Sequence, residues 1–356
     1  MKIIRHKAYT PSYDKIILSG DIGGTNSNLA LTGVKGSAIE ILTEVIEDSS
    51  LVKDFTATTK AALEVLLKET PQAIPQICCI SAAGPVKDNC CKMTNQSWTI
   101  SGPEIEKALG IPTLIINDFM AVSYSLPLLN TQDSSQITIL HRPKEGSPHP
   151  QGEMRAVAGA GTGLGVGFII KTHEKYLAFP SEGGHMDFAD FDPLTKELKA
   201  YIYDQIDLVP EYEQLISGMG IKNLFYYFAE TGRLDKKDGA IMDIYALPDT
   251  QKPAKIAQEA KTHPGLRSVM VTFVKMYARF CASTATMLLP FGGLYLAGGI
   301  VGKNLEFFTE NHLFINTFEE HCNPNIRKLL KEIPVFVIND YSISLLGAAN
   351  AALSLI

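Results

Sequence analysis

At 356 residues the chain exceeds a single domain of about 150 residues and is expected to form two. Hydrophobic residues make up 46% and charged residues 20%, an ordinary globular composition that can bury a large core. A formal net charge of −6, without a long Lys/Arg cluster, speaks against nucleic acid as the main partner.

The opening MKIIRHKAYTPSYDK is too polar for a signal peptide, so a cytoplasmic protein with reduced thiols is expected. KIILSG and NLALTG then read as two strands joined by a glycine turn, Gly20-Asp21-Ile22-Gly23-Gly24-Thr25. TATTKAALEVLLKET reads as a helix, and QICCISAAGP as a buried strand ending in a turn. SGPEIEKALG carries helix start and stop signals: Ser101, an early Pro103, Glu104 three residues after the serine, and Gly110. TLIIND is a short apolar run, and FMAVSYSLPLL looks helical as far as Pro127. Asn117 and Asp118 therefore sit at the carboxyl end of a strand, where open α/β sheets bind ligands.

Residues 132–153 are polar and rich in proline and glycine, and read as a long connection or domain boundary. Beyond them MRAVAGAGTGLGVGFIIK repeats the opening layout of strand, glycine turn and strand, which predicts two similar domains. The middle, from Pro193 to about Leu289, is mostly helical by periodicity. No charge occurs between Arg279 and Lys303, a length that could cross a bilayer at ~20 residues. But Pro290, Gly292, Gly293, Gly298 and Gly299 interrupt it. It reads as the end of a buried helix, a turn at PFGG, a strand LYLA and a second turn at GGIVG, so no membrane span is expected. PVFVIND gives a last strand and SISLLGAANAALSLI a last helix.

Familiar motifs fail on inspection. Neither glycine loop fits the dinucleotide G-x-G-x-x-G, because Leu164, Val166 and Phe168 fill the third-glycine positions. AGGIVGKN misses the phosphate-binding P-loop at Ala297 and Asn304. NDF and MDF lack the glycine of the protein-kinase D-F-G. None of the six cysteines stands in a C-x-x-C pair, so no zinc site is expected.

Three glycine turns remain, at 20–25, 159–165 and 298–302. Each alone can be a plain tight turn; together they could hold one nucleotide, with Thr25 and Thr162 adding hydroxyl donors. Two polar clusters stand beside them. Asn117-Asp118 ends a strand, where Asp118 could also be merely the N-cap of a helix starting at Phe119. PSEGGHMDFA carries Glu182 and His185 around two glycines, either in a surface turn or in a polyol site. Asp21 poses a separate question, since a carboxylate beside phosphate is repulsive unless a cation intervenes. Magnesium, which prefers oxygen and keeps its waters, would suit it; a turn aspartate bonding its own backbone is the alternative.

The ordered set SGDIGGTNSNLAL, MTNQSW, IINDFMAVSYSLPLL, AGAGTGLGVGF, PSEGGHMDFA, EQLISG and YLAGGIVGKNLEFF resembles the bacterial-type ATP-dependent glucokinases of the hexokinase, actin and Hsp70 superfamily, over nearly the whole chain. The resemblance implies an α/β fold of two ribonuclease H-like, actin-like ATPase domains flanking a cleft. The divisions expected are 1–128 plus 334–356 for a small domain and 129–333 for a large one with helical insertions. It implies phosphorylation of D-glucose at the 6-hydroxyl by MgATP, in the cytoplasm and in a homodimer, without nucleic acid or membrane partners. By position, Asp118 matches the catalytic base. Asn117, Asp118, Glu182, His185 and Glu213 match the glucose ligands, with Asn95 near that site. Gly20, Asp21, Ile22, Gly23, Gly24 and Thr25 match the first phosphate loop, Asp21 holding the metal. Gly161, Thr162 and Gly163 match the second loop, and Gly298 and Gly299 the adenosine-side turn.

Departures are Ser181 in place of a glycine, an N-terminal extension of about a dozen residues, and a long connection near 141–151. The C-x-C-G-x-x-G-C zinc motif of the repressor-and-kinase sugar family is also missing. A kinase for mannose or fructose, or a non-enzymatic sugar sensor on the same fold, are the alternatives.

Overall fold

The computed structural model describes the chain except Thr94, Asn95, Ser97, residues 144–151, Glu174, Tyr341 and Ile356. The expectation for Asn95 and most of the 141–151 connection thus lie outside the described residues. Two compact units result: Met1–Asn130 with Gly167–Pro180 and Asp340–Ile356, and Thr131–Val166 with Ser181–Asn339.

The first unit is built on a sheet whose strand order is Lys2–Arg5, Ala38–Asp48, Asn26–Lys35, Lys15–Ile22, Ile77–Ala82, Thr113–Asn117. The first four strands pair antiparallel and the last two join in parallel. Parallel strands need crossover helices, and Phe55–Glu69 and Gly102–Leu109 supply them. The signals read in sequence act as expected: Ser101 Oγ accepts the Glu104 N–H, and Gly110 closes the second helix at φ 73°. One face of the sheet buries Leu18, Leu31, Leu42, Ile80 and Ile105 with Phe55, whose ring stacks on Trp98 at 5.2 Å. The C-terminal helix Ile343–Leu355 is tied to Asp118–Ser125 by Asn350 Nδ2 donating to the Tyr124 carbonyl at 2.7 Å.

The second unit repeats this layout. The second six-stranded sheet follows the order Ile137–His141, Val335–Ile338, Leu294–Ala297, Met154–Ala160, Leu164–Lys171, Tyr176–Phe179, its last strands leaving the second unit at Gly167. Counted from each glycine-turn hairpin, both sheets read 3-2-1-4-5, with one edge strand added. The repeat expected from the sequence is therefore a repeat of topology. The uncharged stretch resolves into the helix Pro264–Leu288, the PFGG turn, the strand Leu294–Ala297 and a short helix from Gly299. Among the described residues no helix is long and apolar enough to cross a membrane.

Strand pairing decides which segments each unit contains. Val335–Ile338 pairs in parallel with Leu294–Ala297, which keeps it in the second unit. At Gly167 the chain passes into the first unit, where Phe168–Lys171 pairs with Tyr176–Phe179. Several strands escape the sequence reading, among them Ala38–Asp48 and Tyr176–Phe179. Lys2–Arg5 pairs with Thr43–Ile46, and Ile137–His141 lies within the expected polar connection.

Candidate active site

In the first unit, the strand Thr113–Asn117 runs into the helix Asp118–Ser125 without a loop. The cap is Asn117, not Asp118: Asn117 Oδ1 accepts the N–H groups of Phe119 at 2.9 Å and Met120 at 3.3 Å. Asn117 Nδ2 points to the Gly84 carbonyl at 3.4 Å. The helix start is thus secured by residue 117, and an acid at 118 needs another reason. Asp118 occupies the first helical position, where the helix dipole favours a carboxylate, and its Oδ1 also accepts the Phe119 N–H at 2.9 Å.

Asp21 lies on the neighbouring part of the same sheet. Its Oδ1 accepts from Ser81 Oγ at 3.1 Å. Burial pushes its carboxyl up to about 6; the negative charges of Asp118 and Glu44 add to the rise, while the Ser81 bond opposes it. The folded protein therefore holds this proton more tightly than the unfolded chain does. Stability from this source is full below the unfolded value near 4 and is lost as pH rises through about 6. Asparagine mimics the protonated acid. Asp21→Asn is expected to match wild type at pH 4 and to exceed it at pH 8 by up to about 2–3 kcal/mol. Denaturant unfolding at the two pH values checks this.

The loop after Asp21 has its carbonyls occupied from outside. The Gly23 carbonyl accepts Ser49 Oγ at 2.8 Å, the Gly24 carbonyl accepts Gln96 Nε2 at 2.7 Å, and the Thr25 carbonyl accepts the Ser49 N–H at 2.9 Å. The Gly23 N–H closes the turn on the Asn26 carbonyl at 2.9 Å. What the loop still offers is donor capacity, from the Gly24 and Thr25 amides and the Thr25 hydroxyl. That is the polarity an anion requires.

In the second unit, the Gly161–Gly163 turn closes with the Gly161 N–H donating to the Gly163 carbonyl at 2.8 Å. The Gly161 carbonyl accepts from Gly218, at the start of the helix Gly218–Glu230. The third turn lies against the same strand. Gly298 adopts φ 91°, and a Cβ there would sit 2.4 Å from the Ala160 carbonyl oxygen, so only glycine permits this approach.

Glu213 stands on the single 3₁₀ turn Tyr212–Gln214 rather than on an α-helix. Its Oε2 accepts the Leu164 N–H at 2.9 Å, directly after the glycine turn. Glu182 precedes another 3₁₀ turn, Gly183–His185, and His185 is its last residue. His185 Nδ1 lies 2.7 Å from Glu211 Oε2, and Nε2 lies 3.9 Å from Glu182 Oε2. The bond to Glu211 raises the His185 pKa most; burial opposes it, and the charges of Glu213, Glu211 and Glu182 add to the rise. Glu182, His185 and Glu213 thus belong to one charged neighbourhood. Glu211 was missed; its only signal is one more carboxylate two residues before Glu213.

The Glucokinase family model matches residues 18–355. The chain belongs to the glucokinase family. A glucokinase of Nostoc punctiforme is 34% identical over 355 residues, covering 95% of this chain and 98% of that protein. The crystal structure of a glucokinase from an Antarctic psychrotroph superposes with a TM-score of 0.79 at 25% identity, covering 95% of this chain and 99% of that one. A ROK-family glucokinase from Streptomyces griseus, in complex with glucose and AMPPNP, shares the fold with a TM-score of 0.61 at 18% identity, covering 95% and 99%. Membership makes the chain an ATP-dependent hexose kinase with the actin-like ATPase fold.

Proposed function

We propose that Asp118 is the base that takes the proton of the 6-hydroxyl of D-glucose as that oxygen attacks the γ-phosphorus of ATP. The observation carrying this is the division of labour at the strand end. Asn117 caps the helix, and the neighbouring carboxylate sits close enough to Asp21 to raise its pKa. Phosphoryl transfer depends otherwise on positioning and charge stabilisation. Glu182, His185 and Glu213 hold other hydroxyls of the sugar, and Asn117 orients the 6-hydroxyl beside Asp118. The Gly24 and Thr25 amides, with Thr162 and the Gly161–Gly163 turn, receive phosphate oxygens, and Gly298-Gly299 borders the adenosine.

Magnesium fits the first loop. Asp21 faces Asn28 across the hairpin, and Asn28 Oδ1 is buried without a hydrogen-bond partner among the described residues. Two oxygen acceptors beside a loop of donors suit a hydrated hard cation bridging to phosphate. When bound, Mg²⁺ offsets phosphate charge during transfer. Asp21 would hold its water shell, and Asn28 would accept from one of those waters. Asp21→Asn is therefore expected to raise the Mg²⁺ concentration for half-maximal rate about tenfold, with partial recovery in excess Mg²⁺. An unchanged Mg²⁺ titration would leave Asp21 a turn residue.

The remaining reading is a cytoplasmic homodimer supplying glucose 6-phosphate to glycolysis. It rests on the resemblance to the bacterial-type glucokinases, and light scattering on the purified protein tests the dimer. ADP release measured with and without glucose, then with mannose and fructose, tests the substrate. Release that is independent of sugar removes the kinase reading, and a higher kcat/KM for mannose or fructose reassigns the hexose.

A further inference from the structure

The geometry points to Glu211 as the positioning residue for His185, holding its Nδ1 proton so that Nε2 faces the sugar. This rests on the reading of His185 as a glucose ligand. The distance from Nδ1 to Glu211 Oε2 is 2.7 Å, a charge-assisted bond, whereas the 3.9 Å from Nε2 to Glu182 is too long for a hydrogen bond. A carboxylate can only accept, so the proton lies on Nδ1 in the neutral ring. Nε2 then presents a lone pair to a hydroxyl, or a second N–H once the ring is charged.

The two residues are held on a common backbone frame. Segments 186–188 and 210–212 run antiparallel, with Asp187 bridged to Glu211. The Phe188 N–H donates to the Pro210 carbonyl at 2.8 Å, and the Tyr212 N–H to the Met186 carbonyl at 3.0 Å. The Glu211 N–H is taken by Gln214 Oε1 at 2.9 Å. Beneath this strip the buried rings of Phe188 and Tyr212 meet edge to face at 5.5 Å, and Tyr212 leans on Phe280 at 4.7 Å. Both carboxylate and imidazole keep substantial solvent exposure, 41% and 49%. The pair is therefore a weak source of stability, and its use lies in choosing the tautomer and aiming the ring.

The test is nitrogen NMR of the His185 ring together with steady-state kinetics. Wild type is expected to show the Nδ1–H tautomer when neutral. Glu211→Ala is expected to lose that preference and to raise the glucose KM about tenfold, the worth of one hydrogen bond, while ATP KM and Tm stay near wild type. Glu211→Gln retains an acceptor, so it keeps the tautomer and most of the affinity. It removes one of the three carboxylate charges facing the ring, so the ring should titrate at lower pH. Glu211→Gln also serves as the readout if the alanine variant does not fold. A wild-type ring protonated on Nε2, or a Glu211→Ala enzyme with unchanged glucose KM, overturns the inference. His185→Ala separates the two ideas. If it raises the glucose KM and Glu211→Ala does not, only the positioning role fails. If it leaves the glucose KM unchanged, the sugar reading of His185 fails, and this inference with it.

Discussion

Asp118→Ala is expected to lower kcat by roughly 10²–10⁴, the share ordinarily due to a general base, while the protein stays folded. Asn117 carries the helix cap through the Phe119 and Met120 amides, so the helix start survives the loss of the carboxylate. The alanine also relieves Asp21 of a like charge, and stability at neutral pH should rise slightly, not fall. Glucose KM should change less than kcat, because proton removal belongs to the transition state. Steady-state rates and calorimetry on one preparation decide the matter. A folded variant with near wild-type kcat removes Asp118 as the base.

Gly184→Ala is expected to be the most damaging single methyl in the second unit. A Cβ at this position would lie 1.9 Å from the Leu164 carbonyl oxygen and 2.9 Å from its carbon. Both are backbone atoms, so no side chain can swing aside, and overpacking of this kind costs about 3 kcal/mol or more. Leu164 is also the residue whose N–H Glu213 receives, and Gly184 immediately precedes His185. The methyl therefore pushes the histidine turn and the glycine turn apart together. A displacement of about 1 Å can cost a hundredfold in rate, and kcat/KM for glucose should fall by that order. Gly161→Ala supplies the stability control, since a Cβ there meets nothing within 4 Å. Thermal unfolding should separate the two variants by several degrees. Equal melting temperatures would mean that the Leu164 carbonyl moves without cost.

Local physics made much of the molecule legible in the sequence. The apolar runs on either side of each glycine turn, the Ser101 and Gly110 helix signals, and the placement of Asn117-Asp118 at a strand end depend on neighbours a few residues away. Each of them holds in three dimensions. The helix cap is Asn117, whose extended backbone just before the first turn lets Oδ1 reach the Phe119 and Met120 amides, whereas Asp118 already lies inside that turn.

What only the tertiary structure decided involves partners distant in the chain. Ile137–His141 is polar at its flanks and becomes a strand because Val335–Ile338, nearly two hundred residues later, offers it unpaired backbone. Lys2–Arg5 does the same at the edge of Ala38–Asp48, where its strand also places Arg5 against Glu69. The donor polarity of the first loop is set by Ser49 and Gln96, which no glycine pattern announces. The pairing of His185 with Glu211 arises from the antiparallel strip at 186–188 and 210–212, and a carboxylate two residues from another carries no periodic signal. Side chains and turns follow from local sequence because their energies are local. Register, edge pairing and the partner of a histidine follow from long-range backbone hydrogen bonds, which a single sequence states only through the fold that satisfies them.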